Sequence, residues 1–242
     1  LWKGDPLSVE IVELSEEEGD ILLLGFPGNG LVGAISSDYM IRQANMKRAA
    51  KVDSRNFPPV VKLMDGMAIE PINIYYTKGI YVMIDEVALP PQSIAELITF
   101  TLDWFSKKKG KLVLLIEGLA VENRLEKEKP SVYKVYNNDK AKELASSIEA
   151  DPLPSGYISG HIAHFLKEAN YRGIPAIAVL VECFPSYPDP GAAAAVINAI
   201  KPLIKIEIDT QPLINESNAI RLKMRELMRQ VQAAQRPAGY IG

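Results

Sequence analysis

The chain has 242 residues, a formal net charge of −3 and a single cysteine. That length suits one large domain or a domain with an appendage. The near-neutral balance sets up no basic field for nucleic acid, and one thiol excludes an intrachain disulfide, as in a reducing compartment. No apolar run is long enough to cross a bilayer, and Leu1-Trp2-Lys3-Gly4-Asp5-Pro6 lacks the pattern of a signal peptide. The expectation is a cytoplasmic protein with neither membrane nor nucleic acid as partner.

Val9 to Leu14 alternates like a half-buried strand. After the polar turn Glu16-Glu17-Glu18-Gly19-Asp20, the run Ile21-Leu22-Leu23-Leu24 reads as a buried strand. It enters Gly25-Phe26-Pro27-Gly28-Asn29-Gly30-Leu31-Val32-Gly33, and a helix over about Leu31 to Asn45 leaves it, with Leu31, Ile35, Tyr39 and Arg42 on nearby faces. The glycines Gly25, Gly28, Gly30 and Gly33, stiffened by Pro27, read as a structural loop bringing helix close to sheet. Residues 47 to 78 hold two strand-like runs, Val60 to Met64 and Ile72 to Tyr76, between turn signals, which suggests an antiparallel excursion.

Ile80 to Ile84 is a strong strand, and Pro90-Pro91 begins a helix running to about Lys108. Lys111 to Ile116 is another buried strand, while residues 121 to 137 are polar and expected to cross the surface. A short helix over Lys140 to Ile148, a Ser159-capped helix over Gly160 to Tyr171 and a buried strand over Ile174 to Val181 follow. Asp189 and Pro190 supply the N-cap and first position of a helix that stops near Pro202. Ile204 to Asp209 reads as an edge strand, and the last helix, Asn215 to Gln235, carries the stripe Ile220, Met224, Leu227, Met228 and Val231. Strands alternating with helices imply an α/β class: a three-layer α/β/α sandwich on a mostly parallel sheet over 1–209, then a C-terminal helix and tail over 210–242.

Chemistry-bearing residues are few. Gly28-x-Gly30-x-x-Gly33 has the spacing of a dinucleotide fingerprint, with Asp53 downstream, but close packing is the commoner use of such a turn. Three strong strands end in carboxylates, at Asp85 or Glu86, Glu117 and Glu182, where open α/β sheets place their ligands. They could hold a cation or do acid–base work. His161, His164 and Glu168 share a helix face without the His-Glu-x-x-His arrangement, and Cys183 follows a buried strand as a small core thiol. No metal site and no cofactor is expected.

Together the motifs resemble the proteasome assembly chaperone family. Gly25 to Gly33 looks like its signature opening and Ser159-Gly160-His161 like its middle element. Glu182 to Pro185 with Tyr187-Pro188-Asp189-Pro190-Gly191-Ala192-Ala193 resembles its tyrosine-proline-aspartate-proline segment, and Ile206 to Asp209 the end of that domain. The resemblance spans about Ile21 to Asp209. It implies a fold similar to nucleoside phosphorylases and a non-enzymatic, ATP-independent homo-oligomer that guides proteasome α-subunits during ring assembly. Family members dock through a terminal hydrophobic–tyrosine–any triplet, whereas here Tyr240-Ile241-Gly242 carries its tyrosine one place early. The expected partner-facing residues are Tyr240, Ile241 and Gly242 with Met224, Leu227 and Met228. Two alternatives stay open: an oligomeric scaffold pairing with a paralogous subunit, and a hydrolase or phosphorylase-like enzyme using Asp85, Glu117 or Glu182.

Overall fold

The computed structural model describes residues 9–234, with side chains of the final helix described as far as Glu226. In chain order the elements are β1 (Glu10–Glu13), β2 (Ile21–Gly25), α1 (Val32–Gln43), β3 (Lys47–Asp53), β4 (Lys62–Met64), β5 (Met67–Ile69), β6 (Ile72–Thr77) and β7 (Ile80–Asp85). Then come α2 (Pro91–Lys107), β8 (Leu112–Ala120), β9 (Val132–Tyr136), α3 (Asp139–Leu144), β10 (Asp151–Pro152), α4 (Gly160–Tyr171), β11 (Ala176–Cys183), α5 (Pro190–Ile204) and α6 (Gln211–Ala234). Nine strands form one sheet in the order β1-β3-β6-β7-β2-β8-β11-β9-β10, and β4 and β5 form a separate ribbon.

The sheet is parallel at its centre, β7-β2-β8-β11, and antiparallel where β6, β3 and β1 extend one flank and β9 extends the other. Continuous apolar runs belong at the centre because both faces of a parallel sheet are covered by helices. Successive side chains point to opposite faces, so each strand feeds two cores. Leu23, Leu114, Ile116, Ile177 and Val179 pack with α1 and α5; Leu22, Leu24, Val113, Leu115 and Ala178 pack with α2 and α4. The three-layer α/β architecture is therefore observed, with strands of both directions at the flanks.

Several local expectations need correction. α1 buries Val32, Ser36, Tyr39 and Met40, while Leu31 takes a left-handed conformation at its N-cap and is 40% exposed. The polar stretch 121–137 contributes β9, antiparallel to β11: Val132, Tyr133, Lys134, Val135 and Tyr136 are all half-buried, so neither a strict alternation nor a continuous apolar run marks them. Residues 204–209 form no strand; Ile206 and Ile208 are buried, and Lys205 turns the chain left-handed after α5. Ser159 is the N-cap of α4 in position only, since its side chain makes no capping bond.

The glycine loop needs its residue types for two separate reasons. Gly30 has φ +61°, the left-handed region that glycine enters without steric penalty. Gly33 is required by proximity: a Cβ there would stand 2.7 Å from the Phe26 carbonyl oxygen and 2.8 Å from that of Ile116. Both neighbours are backbone, so the helix itself must move away from the sheet. Gly33→Ala is expected to lower stability by about 2 kcal/mol or more, whereas Gly66→Ala, with open space around a left-handed turn, should lose only about 1–2 kcal/mol of conformational energy. Urea unfolding of the two variants checks the order.

Candidate functional site

The three strand-end carboxylates share one face of the sheet, because Asp85, Glu117 and Glu182 lie in the phase of Met83, Leu115 and Leu180, all in the α2/α4 core. Each has its own set of partners. Glu117, 3% exposed, accepts from the His161 ring at 2.7 Å through Oε2 and from the Gly118 N–H at 2.8 Å through Oε1. Glu182 pairs with the Lys127 ammonium and accepts the Ser131 N–H at 3.0 Å. Burial works against its charge, but Lys127 and Ser131 outweigh that and hold the carboxyl below the usual range.

Asp85 is the exception. It is fully buried, its Oδ1 accepts the Val87 N–H at 2.9 Å, and its Oδ2 has no hydrogen-bond partner. Burial, with Glu86 adding repulsion, pushes its pKa up to about 7.

The glycine loop closes over this end of the sheet. Gly25 completes β2 and Pro27 opens the loop. Gly28 lies against Glu117, where a Cβ would come within 2.0 Å of Oε1. A dinucleotide loop must bring its second glycine to a pyrophosphate; here that glycine, Gly30, is packed against Cys183, and the Glu117 carboxylate sits behind Gly28. Asp53, at the end of β3, is separated from β2 by β6 and β7, away from the place a ribose-binding acid would occupy. Those residues do not fit a dinucleotide.

On the other face, Cys183 packs with α1 and α5, against Gly30 and Gly118. Burial, reinforced by the Asp189 and Glu117 charges, pushes its thiol up to about 12, so it is no nucleophile. It faces away from His161, which lies on α4, and His164 instead bonds Thr99 and the Ala95 carbonyl on α2. Glu168 pairs with Arg172. The helix-face zinc reading therefore does not assemble, and no group of three metal-ligating side chains occurs among the described residues.

Composition did not single out Arg124, which lies in the stretch read as surface. It is 1% exposed and makes a bidentate pair with Asp189, 2.8 Å from Nε and 3.2 Å from Nη2. Asp189 also accepts the Ala192 N–H at 2.9 Å, as the N-cap of α5, and its own N–H donates to the Gly30 carbonyl at 2.9 Å. Above them, Gly28, Gly30 and Leu31 face Pro185, Ser186, Tyr187 and Pro188 across a cleft of about 260 Å³. Leu31 and Tyr187 are exposed at its rim.

α6 begins four residues earlier than its stripe suggested and docks on α5 through Leu213 and Ser217. Arg221 donates to the carbonyls of Leu125, Lys127 and Glu128. Met224 is half-buried. The side chains of Leu227 and Met228, and all of Tyr240, Ile241 and Gly242, lie outside the described residues. Among the described residues, no helix is long and apolar enough to cross a membrane.

This architecture defines a class of α/β/α protein whose conspicuous loops serve packing. The PAC2 family model matches residues 22–228, and the chain belongs to that family. Pyrococcus furiosus PbaA, an archaeal homologue of proteasome-assembly chaperone, has a similar crystal structure: TM-score 0.81, 27% identity, covering 95% of each chain. P. furiosus PbaB, an archaeal proteasome activator, shares the fold at TM-score 0.77 and 21% identity over 93% of this chain and 99% of that one. The uncharacterized protein MJ0106 of Methanocaldococcus jannaschii is 26% identical over 226 residues, 92% of each chain.

Two outcomes follow from the buried charges. The folded chain keeps the Asp85 proton to about pH 7, while the unfolded chain releases it near 3.8. Stability from this group is therefore full below pH ~4, falls as pH rises to about 7 and is level beyond. Asp85→Asn should remove that slope, gaining on the order of 3–4 kcal/mol relative to the parent between pH 4 and pH 8 in urea unfolding. Asp189→Ala strands a buried guanidinium and uncaps α5, and should lose about 3–5 kcal/mol in the same assay.

Proposed function

We propose that this chain is a non-enzymatic, ATP-independent, self-associating cytoplasmic protein that promotes assembly of proteasome α-subunits through protein–protein contacts, without a cofactor. The observation that carries the reading is its likeness to PbaA along 95% of both chains, joined to the PAC2 match over residues 22–228. The site supports it from a second direction. Glu117 is held by the His161 ring and the Gly118 amide, Glu182 by the Lys127 ammonium and the Ser131 amide, and Asp85 is enclosed. Carboxylates spent on holding loops fit a recognition surface better than an acid–base pair.

The test is size exclusion with mass detection of the protein alone and mixed with proteasome α-subunits. A discrete oligomer that comigrates with α-subunits is the expected result; a protein that stays monomeric in both runs overturns the reading. An oligomer that ignores α-subunits yet pairs with a paralogue from the native extract favours the scaffold. Tyr240→Ala is expected to weaken capture about tenfold, the loss typical of a buried interface tyrosine, with the melting temperature unchanged.

A further inference from the structure

Of the buried carboxylates, Asp85 alone keeps an oxygen without a hydrogen-bond partner among the described residues. An ionised carboxylate so placed is far costlier than a neutral one. The groups around it are apolar or already occupied. On β6 its register partner is Ile72. On β2, where Gly25 pairs with Ile84, the chain continues as Phe26. Beyond Phe26 the Glu117–His161 pair is closed on itself, with the His161 ring edge-on to Phe26 at 5.9 Å. Glu86 repels the Asp85 charge and is itself paired with Lys62 at 2.7 Å. On α2, Glu96 accepts from Asn56, and at the end of β3 Asp53 accepts the Ser54 N–H. Arg55 is exposed on the turn that follows.

Two turns close over this carboxylate. Residues 54–60, which lead into β4, bring Phe57, Pro58 and Val60; residues 86–90, which lead from β7 to α2, bring Val87 and Leu89. Together with Ile72 they line a void of about 10 Å³, room for one water at most. Ile72 and Val87 are also the strand partner and the hydrogen-bond donor of Asp85. The polar anchors of the two turns are the Phe57 N–H to the Ser54 carbonyl, 3.1 Å, the Ser93 hydroxyl to the Asn56 carbonyl, 3.3 Å, and the Glu86 N–H to the Pro71 carbonyl, 3.3 Å. None of them belongs to the ladders of the central strands, so the turns can open as a unit while the sheet stays folded.

We propose that residues 54–60 and 86–90 form a proton-operated latch, closed over Asp85 while it holds its proton and opened to water once the proton leaves. The β4–β5 ribbon hangs on the same latch, since residues 54–60 enter it and Glu86 holds Lys62 and Pro71 at its base. Opening therefore frees a ribbon whose Val61, Leu63, Met64 and Met67 are already exposed. The device regulates where an apolar contact surface points, and it stands whether or not the client is a proteasome subunit.

Amide hydrogen exchange of the full chain tests this, with each rate corrected for the intrinsic pH dependence of exchange. The closed form holds the Asp85 proton to about pH 7 and the open form releases it near 3.8, so acid favours closure and opening rises with pH. Protection at the Phe57 and Glu86 amides should fall about fiftyfold from pH 5 to pH 7 and less than about twofold from pH 7 to pH 8. It should stay below the protection of the β8 amides throughout, the mark of a local opening. In Asp85→Asn the two amides should keep one level of protection across the range. Asp85→Leu, which also has no proton to lose, repeats that control should Asp85→Asn fail to fold. Protection that does not change with pH in the parent, a fall that persists in the variants, or Phe57 and Glu86 amides that exchange only together with β8 overturns the proposal.

Discussion

The buried pair between Arg124 and Asp189 is the interaction on which the loop-bearing end of the sheet depends. A guanidinium and a carboxylate withdrawn from water are tolerated only when their remaining hydrogen-bonding capacity is met. Arg124 meets it with both Asp189 oxygens and the Lys127 carbonyl. Asp189 adds the Ala192 and Phe184 N–H groups, and its own amide holds Gly30. One ion pair thus joins the segment before β9, the start of α5 and the glycine loop. Gly191 is glycine for the same reason: a Cβ there would stand 2.4 Å from the Ser217 hydroxyl and 3.3 Å from Arg124 Nη2. α6 is joined to this centre through Ser217 and through Arg221, which holds the carbonyls of the segment that Arg124 anchors.

The strand-end carboxylates extend that logic. In an open α/β sheet this is where a ligand would lie, yet Glu117 packs against the glycine loop at Gly28 and braces α4 through His161. Glu182 fixes Ser131 at the entry to β9. These charged positions stiffen loops, which holds Leu31, Tyr187 and the neighbouring prolines in place around the cleft. Rigid presentation lowers the ordering entropy lost when a partner binds.

Much of the fold was legible locally. The strand–glycine turn–helix unit, the buried strands β7, β8 and β11 and the Asp189-Pro190 start of α5 rest on signals within a few residues: apolar runs, a left-handed glycine and a carboxylate three residues from the amide it caps. The motifs that resembled the family are built from those same local units, so they too could be read. Less of the candidate site was legible, because its content is which partner each charge meets.

What the sequence by itself determined was therefore the order and type of the central elements, and the glycines and caps that join them. Only the tertiary structure decided the rest. Ile206 and Ile208 are buried without a strand to pair with, and Val132 to Tyr136 is a strand because β11 offers it an edge. Arg124 is buried because Asp189, sixty-five residues away, neutralises it. Cys183 and His161 were separated by a sheet whose two faces the spacing of residues does not reveal. The apolar β4–β5 ribbon was left outside both cores, although its composition reads like that of an interior strand. Propensity, capping and turn chemistry act between neighbours along the chain, whereas burial and charge pairing depend on contacts that form only once the sheet order is set.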